Sequence, residues 1–126
     1  MAVFGIGIDL VKVDRMEKGL RRWGERLRER IFTAAELADC EKRSNPAPCL
    51  ALRFSAKEAF TKALGTGIRK PVRWKDVEVR PDPLGKPVIY LSERAEEFCR
   101  SKGIRSWHLS LTDDGEYGAA VVVIET

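Results

Sequence analysis

The stretch "GIGIDL", residues 5–10, lies in an apolar N-terminal segment that alternates in the manner of a β-strand. Alternation over residues 3–9 places successive side chains on two unlike faces. One face carries Phe4, Ile6 and Ile8, and the other carries Gly5, Gly7 and Asp9. Because a carboxylate that ends an apolar strand needs a partner, and because the two glycines clear its face, we interpret Asp9 as a candidate functional residue.

The length and composition of the chain favour one globular domain over residues 1–126. Hydrophobic residues make up 44% of the chain and charged residues 33%, which is typical of folded proteins rather than disordered ones. No apolar run approaches the roughly 20 residues that cross a bilayer, and the N-terminus lacks the pattern of a signal peptide. We therefore expect neither a membrane partner nor export.

Three cysteines, Cys40, Cys49 and Cys99, are widely spaced and odd in number. That pattern argues against a disulfide framework and favours a reducing compartment, which predicts a cytoplasmic location. No pair of cysteines has the spacing of a zinc site.

A basic segment spans residues 12–30, which contain eight arginines and lysines and four acidic residues. This local excess equals the net charge of the whole chain, +4. The segment could face nucleic acid, an anionic membrane or an acidic protein, or it could be a solvated helix with internal ion pairs.

Helix signals follow the first strand. Asp14 with Glu17, and Thr33 with Glu36, have the spacing of capping boxes and predict two helix starts. The first of these helices would place three large apolar residues on one face, Met16, Leu20 and Trp23. We therefore interpret Trp23 as facing the core.

The strongest helix prediction runs from about Pro48 to Leu64, with Gly65 just beyond its end. Residues 77–91 then alternate around "DPLG", which predicts a hairpin, and Ser92 caps a further helix. Two final strands are joined by "DDGE". This order predicts an α+β fold in which a mostly antiparallel sheet packs on helices.

Two further residues could act together with Asp9. Glu58 and Lys62 lie one turn apart on the long helix, and two carboxylates with a lysine suit Mg²⁺ and phosphate groups. The alternative is an ordinary surface ion pair between Glu58 and Lys62. The only histidine, His108, lies on a predicted strand and is by itself more typical of a structural residue.

Four segments together resemble the holo-acyl-carrier-protein synthases, the small bacterial 4′-phosphopantetheinyl transferases. They are "GIGIDLVKVDRM" (5–16), "RFSAKEAFTKALGTGI" (53–68), "LGKPVIYL" (84–91) and "WHLSLTDDGEYGAAVVVIE" (107–125). The resemblance implies that coenzyme A gives its phosphopantetheine arm to a serine of acyl carrier protein in fatty acid biosynthesis, and that 3′,5′-ADP leaves. It also implies that Asp9 and Glu58 bind Mg²⁺ and that Lys62 contacts the transferring phosphate.

The same resemblance implies where the substrates bind. Arg53, His108 and the segment of Gly65, Thr66 and Gly67 would lie along the coenzyme A site. The basic first helix, led by Arg15 and including Arg21 and Arg22, would dock the acidic carrier protein. The family is typically trimeric, with the coenzyme between subunits. Many members have a second histidine after "SLT" where this chain has Asp113, so no role of that histidine can be transferred.

The proton acceptor for the attacking serine stays open between Glu58 and a metal-bound water. Two other functions are compatible with parts of the sequence. A nucleic-acid-binding module is supported weakly by charge, but no recognisable motif accompanies it, so no nucleic-acid partner is expected. A non-catalytic interaction domain would not account for Asp9, Glu58 and Lys62.

Overall fold

The computed structural model describes residues 1–126 and has an α+β architecture. In chain order, the elements are β1 (Val3–Lys12), α1 (Val13–Trp23), α2 (Glu25–Ile31), α3 (Ala34–Cys40), α4 (Ala47–Leu64), a 3₁₀ turn (Trp74–Asp76), β2 (Val77–Pro81), β3 (Pro87–Leu91), α5 (Glu93–Ser101), β4 (Ser106–Asp113) and β5 (Tyr117–Glu125). The predicted fold class is confirmed.

Two antiparallel sheets form the β part of the molecule. Strand β5 lies between β1 and β4 in the larger sheet, and β2 pairs with β3 in the predicted hairpin. Strand β1 continues to Lys12, so the expectation that it ends near Asp9 was wrong. The reason is that β5 supplies a pairing partner for every residue from Gly5 to Lys12.

Helix α4 crosses the larger sheet in close contact with β1. A Cβ atom on Gly5 would overlap the backbone carbonyl of Ala63, and one on Gly7 would overlap that of Ala59. The two glycines therefore let the backbones of strand and helix touch, which no larger residue would allow. Their face is the inner face of the sheet.

Two apolar clusters lie along α4, one at its C-terminal part and the other at its N-terminal part. One joins α4 to the sheets and α5 and includes Phe60 and Val122; the other joins α4 to the first three helices and includes Phe32 and Leu50. Because α4 contributes to both, 13 of its 18 residues are buried. No helix in the structure combines the length and the apolar character needed to cross a bilayer.

Helix ends match the sequence signals in all but one case. Thr33 and Glu36 form the predicted capping box, Ser92 caps α5, and Gly65 ends α4 with a φ of 82°. The predicted capping box of Asp14 and Glu17 was wrong, because α1 begins at Val13 and its N-cap is Lys12. Asp14 instead lies in the first turn, where it pairs with Lys18 at 2.9 Å.

Trp23 corrects a second expectation. Met16 and Leu20 are buried, but Trp23 is 49% exposed at the end of α1. The positive φ of Gly24 ends α1 at this point, and Arg22 lies over the Trp23 ring, 5.0 Å from its centroid. Trp23 therefore belongs to the surface.

The cysteines correct a third expectation. Cys40 and Cys49 form a disulfide that joins the end of α3 to the start of α4, and Cys99 is a buried free thiol. Wide spacing in the sequence did not predict this pair, because the loop between α3 and α4 turns the chain back and brings the two Cα atoms to 5.4 Å.

Candidate active site

Asp9 lies on the inner face of β1, and both of its carboxylate oxygens are hydrogen-bonded. Ser55 Oγ donates to Oδ2 at 3.0 Å, and Lys62 Nζ donates to Oδ1 at 3.0 Å. The Lys62 ammonium also donates to the backbone oxygen of Ile8 at 3.1 Å. The strand that the glycines hold against α4 thus brings together residues 46 to 53 positions apart in the chain.

The alternative of an ordinary surface ion pair between Glu58 and Lys62 does not hold. Lys62 makes its ion pair with Asp9 and none with Glu58. The Lys62 side chain is 51% exposed whereas that of Asp9 is 13% exposed, so the ammonium group covers the carboxylate from the solvent side. Lys62 therefore has both a fixed partner and access to an incoming ligand.

Glu58 faces the same cavity as Asp9 and makes no ion pair. Partial burial raises the pKa of the Glu58 carboxyl above its ordinary value, and the negative charge of Asp9 adds to the increase. Lys62 acts in the opposite direction. A carboxylate whose proton affinity is raised by a second carboxylate nearby has an environment that suits a bound cation.

The cavity has a volume of about 460 Å³ and lies between β1, α1, α2 and α4. Asp9 and Glu58 are its two acidic lining residues, Lys12 and Arg15 add positive charge, and seven of the 12 lining residues are hydrophobic, with Trp23 and Phe54 among them. A lining that combines charged and apolar residues is typical of sites that bind a ligand of mixed character.

A buried ion pair that no sequence pattern predicted fixes α4 in place. Lys57 and Glu36 are fully buried and lie 2.8 Å apart, and Lys57 Nζ also donates to the backbone oxygens of Trp74 and Val77. Burial lowers the pKa of Lys57, while Glu36 opposes that change. Because Lys57 precedes Glu58, this network positions the candidate active-site helix against β2.

Arg53 does not join Asp9 and Glu58. Its guanidinium donates to Asp39 Oδ2 at 2.6 Å, and the residue is 7% exposed. Its Nε atom is buried and has no hydrogen-bond partner. The expected contact of Arg53 with coenzyme A therefore stays a prediction, and the structure gives Arg53 a packing partner in α3.

The loop after α4 begins beside Lys62. The backbone N–H groups of Gly65, Thr66 and Gly67 all donate to the Thr61 carbonyl, so the segment folds back over the end of the helix. Gly65 and Gly67 have positive φ values of 82° and 70°. This geometry explains both glycines as helix-end residues and places the segment one turn beyond Lys62.

His108 lies on the other face of the larger sheet. It is opposite Val123 in register and exposed, and its Nε2 atom lies 2.7 Å from Glu125 Oε1. Asp9 and Glu58 lie on the inner face, so a single chain does not bring His108 to them. Asp113, at the end of β4, is exposed.

The three arginines predicted for docking are exposed on α1. Arg15 makes no ion pair and lines the cavity, Arg21 pairs only distantly with Glu17 at 3.9 Å, and Arg22 lies over Trp23. The first helix thus presents charge that no acid of this chain fully neutralises.

Comparisons with known proteins agree with the resemblance. The model of the 4′-phosphopantetheinyl transferase superfamily matches residues 5–122. A holo-[acyl-carrier-protein] synthase of Geobacter sp. (strain M21) is 46% identical over 123 residues, which cover 98% of each chain.

Solved structures give the same result. The crystal structure of holo-[acyl-carrier-protein] synthase from Neisseria meningitidis has a TM-score of 0.94 and 35% identity, covering 99% of this chain and 100% of that one. A Bacillus anthracis holo-(acyl-carrier-protein) synthase in complex with CoA (3′,5′-ADP) has a TM-score of 0.82 and 36% identity, covering 98% and 97%. The chain belongs to the 4′-phosphopantetheinyl transferase superfamily and, within it, to the holo-[acyl-carrier-protein] synthases.

Proposed function

We propose that this chain transfers the 4′-phosphopantetheine group of coenzyme A to a serine of apo-acyl carrier protein in fatty acid biosynthesis, releasing 3′,5′-ADP. The observation that carries the proposal is that Asp9 on β1 and Glu58 on α4, which are far apart in the sequence, line one cavity, and that Lys62 donates a hydrogen bond to Asp9 beside it. The bound coenzyme in the relative from Bacillus anthracis supports the choice of donor.

Asp9 and Glu58 are the residues that we expect to hold Mg²⁺. Their carboxylates are hard oxygen ligands that face one cavity, and they leave room for water and phosphate oxygens, which is the donor set that Mg²⁺ prefers. The raised pKa of Glu58 supports this fit, because a cation would offset the repulsion from Asp9. When bound, Mg²⁺ would stabilise negative charge on the pyrophosphate oxygens.

The remaining chemistry is assigned to this chain's own side chains. Lys62 would hold a phosphate oxygen by charge, and its hydrogen bond to Asp9 keeps the ammonium group oriented. Glu58 is a candidate acceptor for the serine proton, because its carboxylate faces the cavity beside Asp9 and makes no ion pair. Ser55 fixes the Asp9 carboxylate from the buried side.

Coenzyme A and the carrier protein would approach from different directions. Gly65, Thr66 and Gly67 lie next to Lys62 and would contact the coenzyme, as would Arg53 if it is released from Asp39. The carrier protein would dock on Arg15, Arg21 and Arg22, where its acidic surface meets uncompensated positive charge.

A homotrimer would explain the outer face of the larger sheet. Ile6, Ile8 and Leu10 are each more than 60% exposed on β1, and Val121 and Val123 continue the same face on β5. An apolar strand face of this kind is typical of a subunit interface. His108 lies on this face, so assembly would place it at the border with a neighbouring subunit, where it could contact coenzyme A bound between the two chains.

We further propose that residues 1–126 act as one catalytic domain in the cytoplasm. A reducing cytoplasm would keep Cys40 and Cys49 as neighbouring thiols, and the disulfide would form on oxidation.

Mass spectrometry of the carrier protein tests the proposed function. Incubation of an apo-acyl carrier protein with this protein, coenzyme A and Mg²⁺ should add the mass of one phosphopantetheine group. A carrier protein whose acceptor serine is replaced by alanine is the control and should not change. An unmodified carrier protein after prolonged incubation would refute the proposal.

A further inference from the structure

A second basic surface lies outside α1. A cavity of about 900 Å³ is enclosed by α2, the segment 68–76 and α5. Six of its nine lining residues are arginines or lysines, and one is an acid. The basic residues are Arg30, Arg69, Lys70, Arg73, Lys75 and Arg94.

Most of this positive charge has no partner within the chain. Asp76 forms an ion pair with Arg94. The Nε and Nη2 atoms of Arg94 donate to the two carboxylate oxygens of Asp76, both at 2.8 Å. Ser92 and the backbone N–H of Arg73 also donate to Asp76. Burial raises the pKa of Asp76, but these hydrogen bonds outweigh it and lower the pKa overall, so Asp76 stays charged and neutralises Arg94 alone.

The other five cations around this cavity make no ion pair. They are Arg30, Arg69, Lys70, Arg73 and Lys75. Five like charges around one depression repel one another and create a positive potential there. The surface is therefore complementary to an anionic ligand.

The basic cavity is continuous with the candidate active site. Arg30 and Trp74 also line an apolar groove, and that groove shares Trp23, Leu27 and Ile31 with the cavity of Asp9 and Glu58. The stacked rings of Phe54 and Trp74, with centroids 5.1 Å apart, form part of this path. An apolar strip thus runs from Arg15, beside the active site, to the second basic surface.

We propose that the second basic surface docks a separate acidic region of the carrier protein, so that the carrier protein is held at both ends of the apolar strip. This inference rests on the proposed function. An acidic protein fits better than a small anion, because it would cover the apolar strip and both groups of cations together. The second surface would increase the rate of encounter and select carrier proteins with acids on both sides of the acceptor serine.

Charge reversal at the second basic surface tests this inference. Arg69→Glu should raise the KM for apo-acyl carrier protein about tenfold at low salt and far less at high salt, because exposed charges are screened. The KM for coenzyme A and the kcat at saturating carrier protein should not change. Lys86→Glu is the matched control, since Lys86 is exposed in the β2–β3 turn and makes no ion pair. It should leave all three values unchanged.

A combined variant tests whether the two surfaces are separate. The fold-increases of Arg69→Glu and Arg21→Glu should multiply in the double variant, because distant sites contribute independently. Lys75→Glu repeats the test if Arg69→Glu lowers the melting temperature.

Three results would overturn the inference: an unchanged KM for the carrier protein, a raised KM for coenzyme A instead, or non-multiplicative effects. An unchanged KM would mean that the carrier protein does not bind this surface. A raised KM for coenzyme A would mean that the coenzyme phosphates bind in this cavity. Non-multiplicative effects would mean that the two basic surfaces act as a single site. Failure of the unaltered protein to modify the carrier protein in the mass-spectrometry experiment would refute the proposed function itself. The three results above are different, because they are measured on an enzyme that is active.

Discussion

The two faces of the larger sheet are built from the same three strands but differ in their surroundings. The inner face of β1 presents Gly5, Gly7 and Asp9 to α4, and the outer face presents Ile6 and Ile8 to solvent. On the inner face, small residues bring a helix close enough for Lys62 to bond Asp9. On the outer face, large apolar residues are exposed in the single chain. The comparison teaches that apolar content alone does not identify the buried side of a strand.

Removing a carboxylate from the inner face should have the largest effect. Asp9→Ala or Glu58→Ala should lower kcat for phosphopantetheine transfer by about a thousandfold, a loss of about 4 kcal/mol in transition-state stabilisation. Steady-state assays with Mg²⁺ measure this loss, and the melting temperature should be nearly unchanged. Glu97→Ala, in the exposed part of α5, is the control and should retain full activity. Near-normal rates in both active-site variants would contradict the metal assignment.

Closing the gap between strand and helix should have the next largest effect. Gly7→Ala adds one methyl group that would collide with the Ala59 backbone, so the free energy of unfolding should fall by about 3 kcal/mol. Urea unfolding at a fixed protein concentration measures the change.

Gly19→Ala is the matched control for this prediction. Its added methyl group would meet only the flexible end of Leu27, at 3.2 Å, in the middle of a helix. We expect the free energy of unfolding to change by no more than about 1 kcal/mol. Equal effects of the two substitutions would show that the close contact of β1 and α4 is not what the glycines provide.

The smallest expected effect concerns the reactivity of the cysteine thiols and does not involve catalysis. Burial raises the pKa of the Cys99 thiol to about 11, so the native protein should react slowly with thiol reagents at pH 8. Because the thiol must stay protonated in the folded state, its contribution to stability is present below about pH 9 and is lost as the pH rises toward 11.

A thiol count checks the same region. Without reductant, the unfolded protein should show one reactive thiol per chain, and after reduction it should show three. Three thiols without reductant would mean that Cys40 and Cys49 are not joined in the purified protein.

Much of the fold followed from local patterns. Alternation predicted the strands, and Pro48 and Gly65 marked the start and end of α4. The meeting of Asp9 with Lys62 could be anticipated because a glycine-thinned strand face and a helix with small residues suit one another. These patterns act within a few residues, so they can be read without the tertiary structure.

The features that were missed depend on which surfaces meet. Trp23 has the spacing of a core residue, but the turn at Gly24 carries it to the surface. The pairing of Lys57 with Glu36 requires α3 and α4 to lie side by side. The exposure of Ile6, Ile8 and Leu10 on β1 also depends on tertiary structure, because α4 packs against the opposite face of that strand.

We propose that the inner face of the larger sheet carries the active site, that the outer face joins subunits, and that His108 of a neighbouring subunit completes each site. Mixed assemblies of Glu58→Gln and His108→Ala chains test it most directly. Each variant alone should be strongly impaired, whereas co-expressed chains should regain up to about one quarter of normal activity. In a random mixture of equal amounts, about one site in four combines an intact Glu58 with an intact His108 of the neighbouring subunit. Full activity of His108→Ala alone, or no recovery in the mixture, would contradict the account.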